Sequence, residues 1–119
     1  MELKERMYVR IKNKAGYCVI GEIENINDFR EPMAKYCIDI QGNDFIFVPE
    51  EMIIKASNNI IDLIEVGDYV NGLLVIDKYY DYANKEWRLN DRDGLICIEN
   101  NIKSIVTKEQ FESMSYKVK

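Results

Sequence analysis

Apolar and polar positions alternate along much of this chain, first where Met7, Val9 and Ile11 interleave with Tyr8, Arg10 and Lys12. A period of two belongs to a strand with one buried face. Lys14-Ala15-Gly16 follows as a turn, after which Tyr17, Val19 and Ile23 share one side and Cys18, Ile20 and Glu22 the other. Met7 to Glu24 therefore predicts an antiparallel hairpin. Asn25 to Lys35 loses the periodicity and holds Glu31-Pro32, which opposes helix, so it reads as a loop. Tyr36 to Ile40 and Asp44 to Val48 are β-branched or aromatic runs joined by Gln41-Gly42-Asn43, and complete a four-stranded meander.

Pro49-Glu50-Glu51-Met52 reads as a single helical turn, with proline at the first position and two carboxylates near the positive end of the dipole. In Ile60 to Val66 the i, i+3, i+4 spacing suits a helix and the isoleucines suit extended chain, so the pattern leaves both open. Asn71-Gly72 is a strong two-residue turn signal, because both residues tolerate positive φ, and it pairs Asp68-Tyr69-Val70 with Leu73-Leu74-Val75. Leu73 to Tyr80, Glu86 to Leu89 and Leu95 to Ile98 are expected to continue as strands. Thr107 and Gln110 have the spacing of a capping box, which starts a helix through about Met114 with Phe111 and Met114 on its buried side. Tyr116-Lys117-Val118 adds a last short strand. The predicted fold is mainly β, a β-rich α+β domain spanning 1–119, built as an antiparallel meander or small partly open barrel with a short C-terminal helix.

Composition narrows the chemistry. The 119 residues are 47% hydrophobic and 31% charged, the balance of one ordinary globular domain. No apolar run approaches the ~20 residues of a membrane span, and Met1-Glu2-Leu3-Lys4-Glu5-Arg6 lacks the apolar core of a signal peptide, so the cytoplasm is expected. Cys18, Cys37 and Cys97 are odd in number and set among apolar neighbours, which suits reduced thiols in a core. The chain has no histidine, and so lacks the usual general base and the commonest transition-metal ligand. Gly-rich phosphate loops, Ser/His/Asp sets and CxxC pairs are also absent, so no enzyme activity, cofactor or metal is expected. A net charge of -5 disfavours nonspecific nucleic-acid binding, which relies on Lys and Arg against phosphates.

Two groups of residues have the composition of binding sites. Tyr79, Tyr80, Tyr82, Trp87, Arg88 and Arg92 bring four rings and two guanidiniums to one expected hairpin, the residue types that dominate interface hot spots. Alternation sends Tyr79 and Tyr80 to opposite faces, so part of the set belongs to the core. Tyr8, Arg10 and Lys12 share a strand face that would hold an anion, with Arg10 and Lys12 on phosphate and a ring on a base. A solvated face neutralised by Glu2, Glu5, Glu22 and Glu24 is the plainer reading of that second group. Asp91-Arg92-Asp93-Gly94 reads as a turn, since the later ligands of a calcium loop are missing, and Glu50-Glu51 and Asp62/Glu65 read as helix-end or surface charges.

The run Ser57-Asn58-Asn59-Ile60-Ile61-Asp62-Leu63-Ile64-Glu65-Val66-Gly67-Asp68-Tyr69-Val70-Asn71-Gly72 and the stretch Ile102 to Val118 resemble a group of short proteins carried by phages and prophages of Firmicutes. The opening Met7-Tyr8-Val9-Arg10 is similar to theirs. The resemblance implies an accessory protein of a mobile element that binds a host defence protein, such as a CRISPR effector, and inhibits it. A sponge for a nucleotide messenger of host immunity is the alternative it implies, and a small nucleic-acid-binding regulator the third. Tyr79 to Arg92 matches no pattern of that group, so variable recognition is expected there. A homodimer through an exposed sheet edge is a further expectation.

Overall fold

The computed structural model describes residues 2–13, 16, 18–41, 44–98 and 101–114. The chain, read above as one domain, gathers into two compact units, Met1–Leu63 and Ile64–Lys119. Both are built from antiparallel sheets, and the described strands form open sheets that do not close into a barrel.

In the first unit, β1 (Tyr8–Lys12), β2 (Cys18–Ile26), β3 (Tyr36–Gln41) and β4 (Asp44–Val48) form the expected meander. A fifth strand that the pattern did not reveal, β5 (Ile53–Ser57), pairs with β1 and makes the order β4-β3-β2-β1-β5. It starts directly after the 3₁₀ turn Glu50–Met52, which confirms the short helical turn expected there. The expected loop before β3 also contains a 3₁₀ turn, Pro32–Ala34. One sheet face carries Val9, Ile11, Val19, Ile23, Ile38 and Val48 into a contiguous core with Tyr36 and Ala56. Val9 lies opposite Gly21, and a side chain at Gly21 would meet Ile38 Cγ2 at 2.5 Å and the Asp39 carbonyl at 2.8 Å. The strands approach this closely because position 21 has no Cβ.

The open question at Ile60 to Val66 resolves as a 3₁₀ helix, Ile60–Leu63, that packs against β1 and β5. Ile61 and Leu63 are buried in it. Strand β1 is therefore flanked on both edges and covered on both faces, and Val9, Arg10 and Ile11 are all buried.

In the second unit the Asn71-Gly72 turn joins β6 (Tyr69–Val70) to β7 (Leu73–Leu74) in the expected register, with φ of 53° and 82° at its centre. β11 (Ile105–Val106) pairs on the other side of β6. The expected strand from Leu73 to Tyr80 is broken: the Val75 N–H still donates to the Asp68 carbonyl at 2.9 Å, but the Ile76 N–H turns to the Asn90 carbonyl at 2.9 Å. The chain then enters a second sheet, β8 (Asp77–Asp81), β9 (Glu86–Asp91) and β10 (Gly94–Ile98). Two short sheets replace one long hairpin because Val75 is fully buried at the crossing.

The helix α1 (Lys108–Met114) begins with the predicted capping box. The Gln110 N–H donates to Thr107 Oγ1 at 3.2 Å, and the Thr107 N–H donates to Gln110 Oε1 at 3.0 Å. Phe111 stacks on Tyr69 with ring centroids 4.2 Å apart. Cys18 and Cys37 are buried and in no disulfide, as expected of small core residues, whereas the Cys97 side chain and the expected strand at Tyr116 lie outside the described residues. No helix among the described residues is long and apolar enough to cross a membrane.

Candidate functional site

The aromatic cluster forms on β8 and β9, where the register sets Tyr80 opposite Trp87 and Tyr79 opposite Arg88. Neighbouring pairs on a hairpin face opposite ways, so the cluster divides into two groups. On one face the Tyr80 ring meets Trp87 edge-on at 5.4 Å and Tyr82 edge-on at 4.9 Å, both favourable geometries for aromatic quadrupoles. Lys78, two residues before Tyr80 on the same face, holds its ammonium 5.2 Å from the Trp87 centroid and donates to the Ile64 carbonyl at 3.0 Å. Lys78 was missed in the sequence because its role depends on a ring from the neighbouring strand and a carbonyl fourteen residues back.

The other face is polar. Arg88 donates from a terminal nitrogen to Glu86 Oε1 at 2.8 Å, and its Nε lies 3.1 Å from Asp81 Oδ2, an ion pair off the line of a hydrogen bond. The Glu86 hydrogen bond, with Asp81 nearby, raises the Arg88 pKa above its ordinary value. Asp81 also organises the hairpin tip. Its Oδ1 accepts the Ala83 N–H at 3.0 Å and the Asn84 N–H at 3.3 Å, and its Oδ2 accepts the Asn84 side-chain amide at 2.8 Å. These bonds, chiefly those from Asn84, lower the Asp81 pKa. Lys85 completes the tip in the left-handed region, at φ 56°.

A pinned tip gives Tyr82 a defined position while leaving it 84% exposed, and Trp87 is 39% exposed between its supports. Rigid rings that keep accessible area lose little entropy when a partner covers them.

The structure does not bring the whole sequence-predicted set together. Arg92 sits in the turn between β9 and β10, at the end of β9 remote from the tip. That separation is about 20 Å along a strand of this length. Arg92 is exposed there and stands apart from the rings.

The second candidate group is rearranged more strongly. Arg10 is only 3% exposed and donates to the Leu63 carbonyl at 3.0 Å. It holds the 3₁₀ helix Ile60–Leu63 onto β1, whereas Lys12 is exposed and Tyr8 half-buried. The expected solvated face did not form because β5 and that helix cover β1. Of the two cations that the nucleotide-sequestering alternative places on phosphate, Arg10 is thus buried and Lys12 exposed.

Among the described residues, no group of three or more His, Cys, Asp or Glu side chains is arranged to hold a metal ion. Comparison with protein-family models, with curated proteins and with solved structures finds no match to this chain.

Proposed function

We propose that this chain is a phage- or prophage-encoded binding protein that acts without bond chemistry, docking through the β8–β9 hairpin onto a component of bacterial defence in the host cytoplasm and inhibiting it. The observation that carries the binding part of this reading is Trp87 held between Lys78 and Tyr80 beside a Tyr82 that is 84% exposed. Aromatic anchors on a rigid support, ringed by polar groups, are the composition and geometry of interface hot spots. The anti-defence part rests on the resemblance of Ser57 to Gly72 and Ile102 to Val118 to phage accessory proteins. An acidic chain of net charge -5 suits a basic protein surface better than a nucleic acid.

The test pairs function with capture. Expressed in defended hosts, the wild type restores phage plating and retains a defence component in a pull-down. Tyr82→Ala and Trp87→Ala lose both, while Tyr82→Ala melts at the wild-type temperature. A wild-type chain that neither restores plating nor captures any defence factor overturns the proposal.

A further inference from the structure

The two edges of the first unit's sheet are built differently. Strand β5 carries the exposed Lys55 and a bulge at Ile54, where Arg10 pairs with Lys55 and Ile11 with Ile53. A charge and a bulge are the usual means of blocking edge-to-edge pairing. Strand β4 carries a single charge, Asp44 at its first position, and the bulge in its ladder falls on Ile40 of β3 rather than on β4 itself. It reads Asp44-Phe45-Ile46-Phe47-Val48, with Phe45 43% and Phe47 55% exposed. Among the described residues, the backbone of 44–48 makes no hydrogen bond outside its ladder with β3. The 3₁₀ turn Pro32–Ala34 packs near β4, yet the strand's backbone groups facing away from β3 find no partner in it, and they lie beside two exposed rings.

We propose that β4 is the interface of a two-fold dimer, in which β4 of a second copy adds antiparallel and joins the two five-stranded sheets. An unpaired strand edge accepts a strand, and this strand complements itself. Pairing centred on Ile46 places Phe45 opposite Phe47 twice, and aromatic pairs directly across a ladder stabilise a sheet. It also places Asp44, the strand's only charged residue, opposite Val48. Parallel in-register pairing would set Asp44 against Asp44 and is disfavoured by like charge.

Arg30 supports the same face. Its guanidinium lies 5.0 Å from the Phe47 centroid and is held by the Ala34 carbonyl and the Asn25 side chain. The guanidinium covers part of the Phe47 ring and leaves 55% of the residue exposed for contact with Phe45 of the second copy. Growth ends at two copies, because the edges left outermost are the blocked β5 strands. The association is closed and isologous. It is independent of the β8–β9 hairpin, so either proposal can fail without the other.

Analytical ultracentrifugation of the full chain from ~1 to ~100 μM tests it. The wild type should reach twice its 14.0 kDa mass. Phe45→Lys and Phe47→Glu, the latter chosen to sit beside Arg30, should each weaken the dimer by roughly tenfold or more, with melting temperatures that match the wild type's at dilutions where it too is monomeric. Ile54→Lys, at the opposite edge, should leave the dimer intact. In a mixture of isotope-labelled and unlabelled wild-type chains, intermolecular NOEs should link Phe45 to Phe47. A wild type that stays monomeric throughout, a dimer that survives both β4 substitutions, or one lacking those NOEs overturns the proposal.

Discussion

Asp68 accepts the backbone N–H of Lys108, forty residues further along, at 3.2 Å. Its other carboxylate oxygen accepts the Glu65 N–H at 2.8 Å, so one buried side chain, 1% exposed, ties the turn before β6 to the first residue of α1. The negative charge also sits at the positive end of the helix. Asp68→Ala leaves two donors unpaired at about 1–3 kcal/mol for each that is buried. The expected result is a lower urea midpoint, with a smaller loss for Asp68→Asn, which keeps one acceptor. A variant as stable as the wild type would mean that water replaces both bonds.

Gly21 leaves no room for a side chain. A methyl group there would lie 2.5 Å from Ile38 Cγ2 and 2.8 Å from the Asp39 carbonyl. Gly21→Ala is therefore expected to cost ~1–3 kcal/mol or more in chemical denaturation. Adding Ile38→Ala should not restore the loss, because the Asp39 oxygen is backbone and cannot step aside. Rescue by that second change would show the strain to be confined to the isoleucine.

Arg10 is expected to matter for stability rather than for anion binding. Arg10→Met removes the donor to the Leu63 carbonyl and should destabilise the first unit by ~1–3 kcal/mol, the cost of a buried acceptor left unpaired. Arg10→Lys should recover only part, since an ammonium does not reproduce the planar guanidinium fork. An Arg10→Met protein with an unchanged urea midpoint would contradict the structural role.

Acid should open the β8–β9 hairpin tip. The bonds from Asn84 lower the Asp81 pKa below its ordinary value of 3.8. A carboxyl group depressed in the folded state contributes stability that is fully present above its unfolded pKa and is lost as the pH falls through the folded one. Trp87 fluorescence should accordingly hold steady from about pH 8 to about pH 5 and change below ~pH 4. Asp81→Asn should remove that acid step, and an unaltered acid profile in the variant would assign it to another group.

Local signals were the ones legible in the sequence. The Thr107–Gln110 capping box and the Asn71-Gly72 turn formed where their residues stand, because each requires only neighbouring backbone groups. The alternation of β1 to β4 was equally readable, since each of those strands pairs with its neighbour in the chain. Strand β5 went unread because its two isoleucines gain strand character from β1, more than forty residues away. The break after Val75 was hidden because Leu73 to Tyr80 holds no glycine, proline or other turn residue at that point, and only pairing with Asn90 divides it. Of the candidate site, the rings of Tyr80, Tyr82 and Trp87 were visible as composition. Lys78 as a support, Asp81 as the pin of the tip and the remoteness of Arg92 required the register.

Sequence alone determined a β-rich chain with a short C-terminal helix, because periodicity, turn chemistry and capping act over a few residues and survive any larger arrangement. Tertiary structure decided which faces meet water. Arg10 changed from a candidate ligand to a buried strut once β5 and the 3₁₀ helix closed over it, whereas Tyr82 and the edge of β4 stayed open. The physical reason is that burial is set by which segments arrive from elsewhere in the chain to cover a face, and alternation within one strand carries no record of them.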